Sequence, residues 1–255
     1  MDNPEKQMSL IEHIGELRRR LIVIIAVLFL GMILGLFVAQ PIYQYLVAAE
    51  TARNLVFHVF SFWDGIGLYM KIAMVVALLL TLPVTVYQIW AFVSPGLLDK
   101  ERRAALRYVP FVFMMFLLGV LFAYYVVFPM ALTFTSNVTR NMGLAETYGV
   151  VQYFTFMSNI VFPVAALFEL PILIMFLTTL RILNPALLRK LRKIAYLVLV
   201  FIAIVITPPD FVSDILVAIP LLFLYELSVI LSGIVYRKQQ RLDAIRLDEE
   251  LQKYD

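Results

Sequence analysis

The chain contains no cysteine, which excludes disulfides, thiolate metal sites and cysteine nucleophiles. Histidine is nearly absent too: His13 and His58 lie far apart in sequence, which argues against a histidine-based metal site, and no metal or other cofactor is expected. None of the ten glycines is followed directly by lysine, so the P-loop signature is missing. Neither histidine begins an H-E-x-x-H, and no G-x-S-x-G elbow occurs, so protease and hydrolase chemistry lose their usual signatures. The two halves show no repetition of the kind an inverted-repeat transporter carries. Charge is scarce, at 15% of residues, and no nucleic-acid partner is expected.

Apolar residues are what the chain has in abundance. They make up 62% of its 255 residues, and the mean hydropathy is +0.90. That is more apolar surface than a soluble domain of this length buries, so a bilayer must cover the remainder. Six apolar stretches stand out, at about 21–39, 68–93, 107–134, 152–181, 194–207 and 211–236. Lipid offers no partner for unpaired backbone groups, and no alternating barrel pattern is visible. The expectation is an all-α polytopic membrane protein: one six-helix domain over 1–236, followed by a charged cytoplasmic tail at 237–255.

Basic residues give the orientation. Eighteen of the 21 lysines and arginines fall in the N-terminal segment, the 93–107 loop, the 181–193 loop and the tail; Arg53, Lys71 and Arg140 remain. The positive-inside rule then places both termini in the cytoplasm. A cleaved secretory signal is the competing reading of the first run, but the run is nearly of full span length and five more follow. The fifth stretch is short: fourteen residues rise about 21 Å against a core of about 30 Å, so its helix borrows from its flanks or sits where the bilayer is thin.

Local punctuation adds detail. "SLIE" at 9–12 fits a capping box, Asp99 can cap a helix beginning "KERRAAL", Asn184 with Pro185 opens another, and Asp210 caps the last span. "GMILG" at 31–35 fits small-xxx-small helix packing. Three ionisable residues fall inside apolar runs. Lys71 reads as a snorkelling side chain, whereas Glu169 and Glu226 are functional candidates. Pro171 frees a backbone carbonyl one turn back, near Leu167, so Glu169 sits beside a weakened turn.

The segments "EHIGELRRRL" (12–21), "LPVTVYQIWAFVSPGLLDKERR" (82–103), "GVLFAYYVVFPMAL" (119–132), "FELP" (168–171) and "TPPDFVSDILVAIPLLFLYE" (207–226) resemble, in order along nearly the whole chain, those of TatC. TatC is the multi-spanning receptor of the twin-arginine protein translocase. The resemblance implies six helices in a curved, cupped bundle in the bacterial cytoplasmic membrane. It further implies a non-enzymatic receptor that binds twin-arginine signal peptides of folded cargo through acids matching Glu16 and Glu101. Arg18, Arg102 and Arg103 would belong to the site, and Gln88 and Phe92 would line the cup. Glu169 would engage TatA-like or TatB-like single-span partners in a homo-oligomeric receptor complex driven by the protonmotive force. Two tandem guanidinium forks call for at least two carboxylates, and lysine matches their charge but not their geometry. The structural alternatives are an ion pair from Glu16 to Arg20, four residues on, and a helix-dipole role for Glu101. A proton- or ion-coupled secondary transporter using Glu169 and Glu226 is the alternative function.

Overall fold

The computed structural model describes residues 10–49, 51–53, 55–93, 108–208 and 211–252. In chain order the elements are α1 (Leu10–Ala48), β1 (Phe57–His58), α2 (Asp64–Val93), α3 (Tyr108–Phe122), a π-helical turn (Ala123–Val127), α4 (Phe128–Asn141), β2 (Tyr148–Gly149), α5 (Val150–Leu167), α6 (Leu170–Thr179), α7 (Pro185–Ile206) and α8 (Phe211–Leu251). The all-α class expected from hydropathy holds. Among the described residues, five helical stretches are long and apolar enough to cross a membrane: Ile14–Ala48, Asp64–Phe92, Pro110–Asn141, Val150–Thr179 and Phe211–Ile245. α7 is the remaining helix. It does borrow from its flank, starting at Pro185, but Arg189, Lys190, Arg192 and Lys193 leave an apolar run of only Ile194–Ile206, about 20 Å long.

Two compact units emerge, one holding α1 and α2, the other β1, β2 and α3–α8. In the first unit the "GMILG" expectation is met. A Cβ built on Gly31 would lie 2.9 Å from the Ala77 Cα, and one on Gly35 would lie 2.6 Å from the Ala73 carbonyl oxygen. Only a missing side chain lets the two backbones come so close. Ala39, Ala73 and Ala77 are fully buried on the same seam, and the Thr81 hydroxyl turns back on the Ala77 carbonyl at 2.7 Å.

In the second unit, Gly119 of α3 makes a similar approach, since a Cβ there would lie 2.8 Å from the Ala165 Cα of α5. Phe128, fully buried, meets Tyr153 edge-on at 5.4 Å. α6 and α8 are joined by buried polar groups: the Thr178 and Ser232 hydroxyls bond at 2.7 Å, and the Gln239 amide donates to the Thr179 carbonyl at 2.8 Å. Such bonds hold membrane helices together where apolar contact alone cannot tell helix from lipid. Asn184 caps α7 as expected, its side-chain oxygen accepting from the Leu187 amide at 2.7 Å with Pro185 in the first turn. α8 continues unbroken through the charged residues after Tyr236 to Leu251. The expected caps at Ser9, Asp99 and Asp210 lie outside the described residues.

The loop after α4 is closed by one carboxylate. Glu146 accepts from the Ser136 hydroxyl at 2.6 Å, Arg140 Nε at 2.8 Å and the Tyr148 hydroxyl at 2.9 Å. The Ser136 bond, then those from Tyr148 and Arg140, hold its pKa below the ordinary 4.5. A depressed folded-state pKa stabilises the loop fully above 4.5, and the contribution is lost as pH falls below that value through the folded one. Hydrogen exchange over 142–149, corrected for intrinsic rate, is expected to rise in Glu146→Gln at pH 7. The native chain should approach the variant's protection as pH falls through the folded-state pKa, below 4.5; a pH-independent difference would contradict this account.

Candidate functional site

Glu16 and Gln88 come together across the α1–α2 seam, and a third residue joins them. Arg20 lies one turn after Glu16 on α1, so its guanidinium reaches back along the same helix face. Its Nε donates to Glu16 Oε1 at 3.1 Å, and Nη2 donates to the same oxygen. Nη2 also donates to the Ala91 carbonyl at 2.9 Å, and Nη1 to Gln88 Oε1 at 3.2 Å. The structural alternative for Glu16, its ion pair with Arg20, is therefore formed. It does not exhaust the carboxylate, because Glu16 Oε2 is buried and has no hydrogen-bond partner among the described residues.

The cluster borders a cavity of roughly 300 Å³ lined by Glu16, Arg19, Arg20, Val23 and Gln88. Arg18 is exposed and lies outside that lining, and Phe92 is half-buried one helical turn beyond Gln88. Glu101, Arg102 and Arg103 lie outside the described residues. Arg19 and Arg20 were not singled out as site residues from sequence. The i,i+4 spacing of Glu16 and Arg20 was legible, but their convergence on Gln88 and Ala91 depends on how α1 meets α2.

A second feature lies at the α5–α6 junction. Pro171 lacks the amide that would bond to Leu167, and the helix breaks where that bond is lost, at Phe168 and Glu169. The Glu169 carbonyl restarts the ladder, accepting from Ile172 at 3.1 Å and Leu173 at 2.9 Å. Both Glu169 carboxyl oxygens are buried with no well-formed hydrogen bond among the described residues, the Phe116 backbone making only a weak contact. Leaving a polar group unmatched in an apolar setting costs about 1–3 kcal/mol, so this position calls for a donor from elsewhere. Glu226 differs. Arg192 donates to its Oε2 at 2.8 Å and the Tyr196 hydroxyl donates to its Oε1, so its carboxylate is engaged within the chain.

The family profile for the Sec-independent protein translocase protein (TatC) matches residues 12–220. The chain belongs to the TatC family. It is 43% identical to the TatC protein of Halalkalibacterium halodurans over 98% of both chains, and 41% identical to TatCy of Bacillus subtilis over 95% of both. A crystal structure of the twin-arginine translocase receptor TatC superposes with a TM-score of 0.72 at 31% identity, covering 88% of this chain and 99% of that one. Membership makes this chain a membrane-spanning component of a protein translocase and not an enzyme, and it displaces the small-solute transporter reading.

Proposed function

We propose that this chain is the signal-peptide receptor of its translocase, with Glu16 and Glu101 accepting the two guanidinium groups of a twin-arginine motif at the cytoplasmic face. The observation that carries the reading is the acceptor cluster on α1 and α2. A carboxylate, an amide oxygen and a backbone carbonyl converge there on one guanidinium beside an open cavity. A planar fork of donors is matched by such a set, and an ammonium is not. The distribution of basic residues supports the orientation, with both termini and this cluster on the cytoplasmic side of a bacterial cytoplasmic membrane. The family resemblance assigns Arg18, Arg102, Arg103 and Phe92 to signal-peptide binding as well. Glu169 takes a polar group from the membrane helix of a TatA-like or TatB-like subunit, and its unmatched carboxyl supports that role. Several protomers assemble in the receptor complex, and the protonmotive force drives export of folded cargo.

Photocrosslinking tests the receptor assignment. Probes placed at positions 19 and 23, which line the cavity beside Glu16 and leave both carboxylates in place, are expected to label a twin-arginine signal peptide and to label the twin-lysine peptide at least tenfold less, as the charge-assisted bidentate geometry requires. Equal labelling by both peptides removes the assignment.

A further inference from the structure

The acceptor set assigned above to the cargo already holds a guanidinium, and it is the chain's own. An exposed i,i+4 ion pair normally joins one donor group to one acceptor group and is worth little. Arg20 does more. It spends Nε, Nη1 and Nη2 on three different acceptors from two helices, one of them a backbone carbonyl 71 residues away in sequence and one an amide 68 residues away. The Arg20 and Glu16 side chains are only 21% and 22% exposed. Whatever occupies this set, its geometry is that of a guanidinium receptor.

We infer that Arg20 is a resident placeholder for the cargo's arginine, and that a twin-arginine segment binds by exchange, its guanidinium taking the acceptors as Arg20 turns out into the adjoining cavity. The inference rests on the reading of Glu16 as a signal-peptide acceptor. Exchange of like for like keeps Glu16 Oε1, Gln88 Oε1 and the Ala91 carbonyl engaged in both the free and the bound state, so these three acceptors are not left unmatched while the receptor waits. Arg20 also sets a threshold. A competitor that is part of the receptor lowers the apparent affinity of every visitor by the fraction of time the site stands open. The ratio between an arginine pair and a lysine pair is unchanged, but the weaker ligand drops below useful occupancy first.

The equal effect on both ligands is the signature to measure, in the full-length chain reconstituted in lipid nanodiscs with fluorescent twin-arginine and twin-lysine signal peptides. Arg20→Gln is expected to tighten both peptides by the same factor, about tenfold, since each hydrogen bond to a charged group is worth about that much. Arg20→Lys keeps the charge but loses the fork, and is expected to tighten both by a smaller common factor. Weaker or unchanged twin-arginine binding in Arg20→Gln overturns the inference. A gain confined to Arg20→Gln and absent from Arg20→Lys also overturns it, because relief of charge repulsion would then account for the change. A measurement on the unaltered chain guards against misfolded variants: saturating twin-arginine peptide is expected to raise phenylglyoxal labelling of Arg20, and protection of Arg20 would refute exchange. Glu16→Gln separates the two layers. If it weakens twin-arginine binding while the Arg20 variants tighten nothing, only the placeholder fails; if it changes nothing, the receptor reading fails with it.

Discussion

Gly35→Leu is expected to leave little folded protein in the membrane. The Cβ alone would fall 2.6 Å from the Ala73 carbonyl oxygen and 2.7 Å from its Cα, both backbone atoms that no rotamer change can move aside. α1 and α2 would have to separate, which breaks the seam of buried alanines and pulls Arg20 away from Gln88 and Ala91. Overpacking a tight core costs about 1–3 kcal/mol, and a backbone clash without slack belongs at or above the top of that range. Gly31→Ala, whose Cβ would meet the Ala77 Cα at 2.9 Å, should be milder. Gly15→Ala is an internal control, since nothing lies within 4 Å of its added Cβ and alanine is the better helix former. Melting of the purified chain in detergent, followed by size exclusion, should rank them Gly15→Ala, Gly31→Ala, Gly35→Leu from most to least stable. A Gly35→Leu variant as stable as the native chain would show that the seam does not hold the pair together.

The second large effect concerns Glu169. Replacement by leucine is expected to cut export of a twin-arginine reporter by roughly tenfold, while signal-peptide affinity stays within a factor of two. A polar contact between membrane helices is worth roughly 0.6–2 kcal/mol, which spans about threefold to thirtyfold in partner occupancy. Leucine removes it and leaves the partner's polar group facing hydrocarbon. Glu169→Gln retains a group that can both donate and accept, and should keep most of the activity. The split between binding and export is the informative readout. Loss of both together would point to a collapsed α5–α6 junction, and full export in Glu169→Leu would end the partner role.

Legibility in the sequence followed the range of the interaction. Signals that act within a turn or two were readable: the apolar runs, the Asn184 cap with Pro185, and the break that Pro171 imposes beside Glu169. The small-residue spacing at Gly31 and Gly35 announced a helix contact but not its partner, because the matching alanines lie some forty residues on and look like any others in an apolar run. Helix ends were underestimated for a different reason. Hydropathy ends where lipid ends, whereas backbone hydrogen bonding continues through polar residues, so α1 reaches Ala48 past Pro41 and α8 reaches Leu251. At the candidate site, the sequence points to Glu16, Gln88 and Glu169 as candidates, and the structure brings the first two together. The part played by Arg20 is not legible there, since a guanidinium four residues after an acid reads as a routine surface pair until a second helix brings Gln88 and Ala91 to it.

The π-helical turn at Ala123–Val127 makes residue count as important as residue identity in this part of the chain. A π turn widens the backbone by one residue per loop, so every side chain beyond it is rotated by about 100° from where a regular helix would put it. Phe128 and Ala131 owe their place in the core to that offset. Natural variation between Pro110 and Asn141 should therefore run through exchanges of one apolar residue for another and avoid single-residue gains or losses, which would swing Phe128 toward the acyl chains and strand its Tyr153 contact.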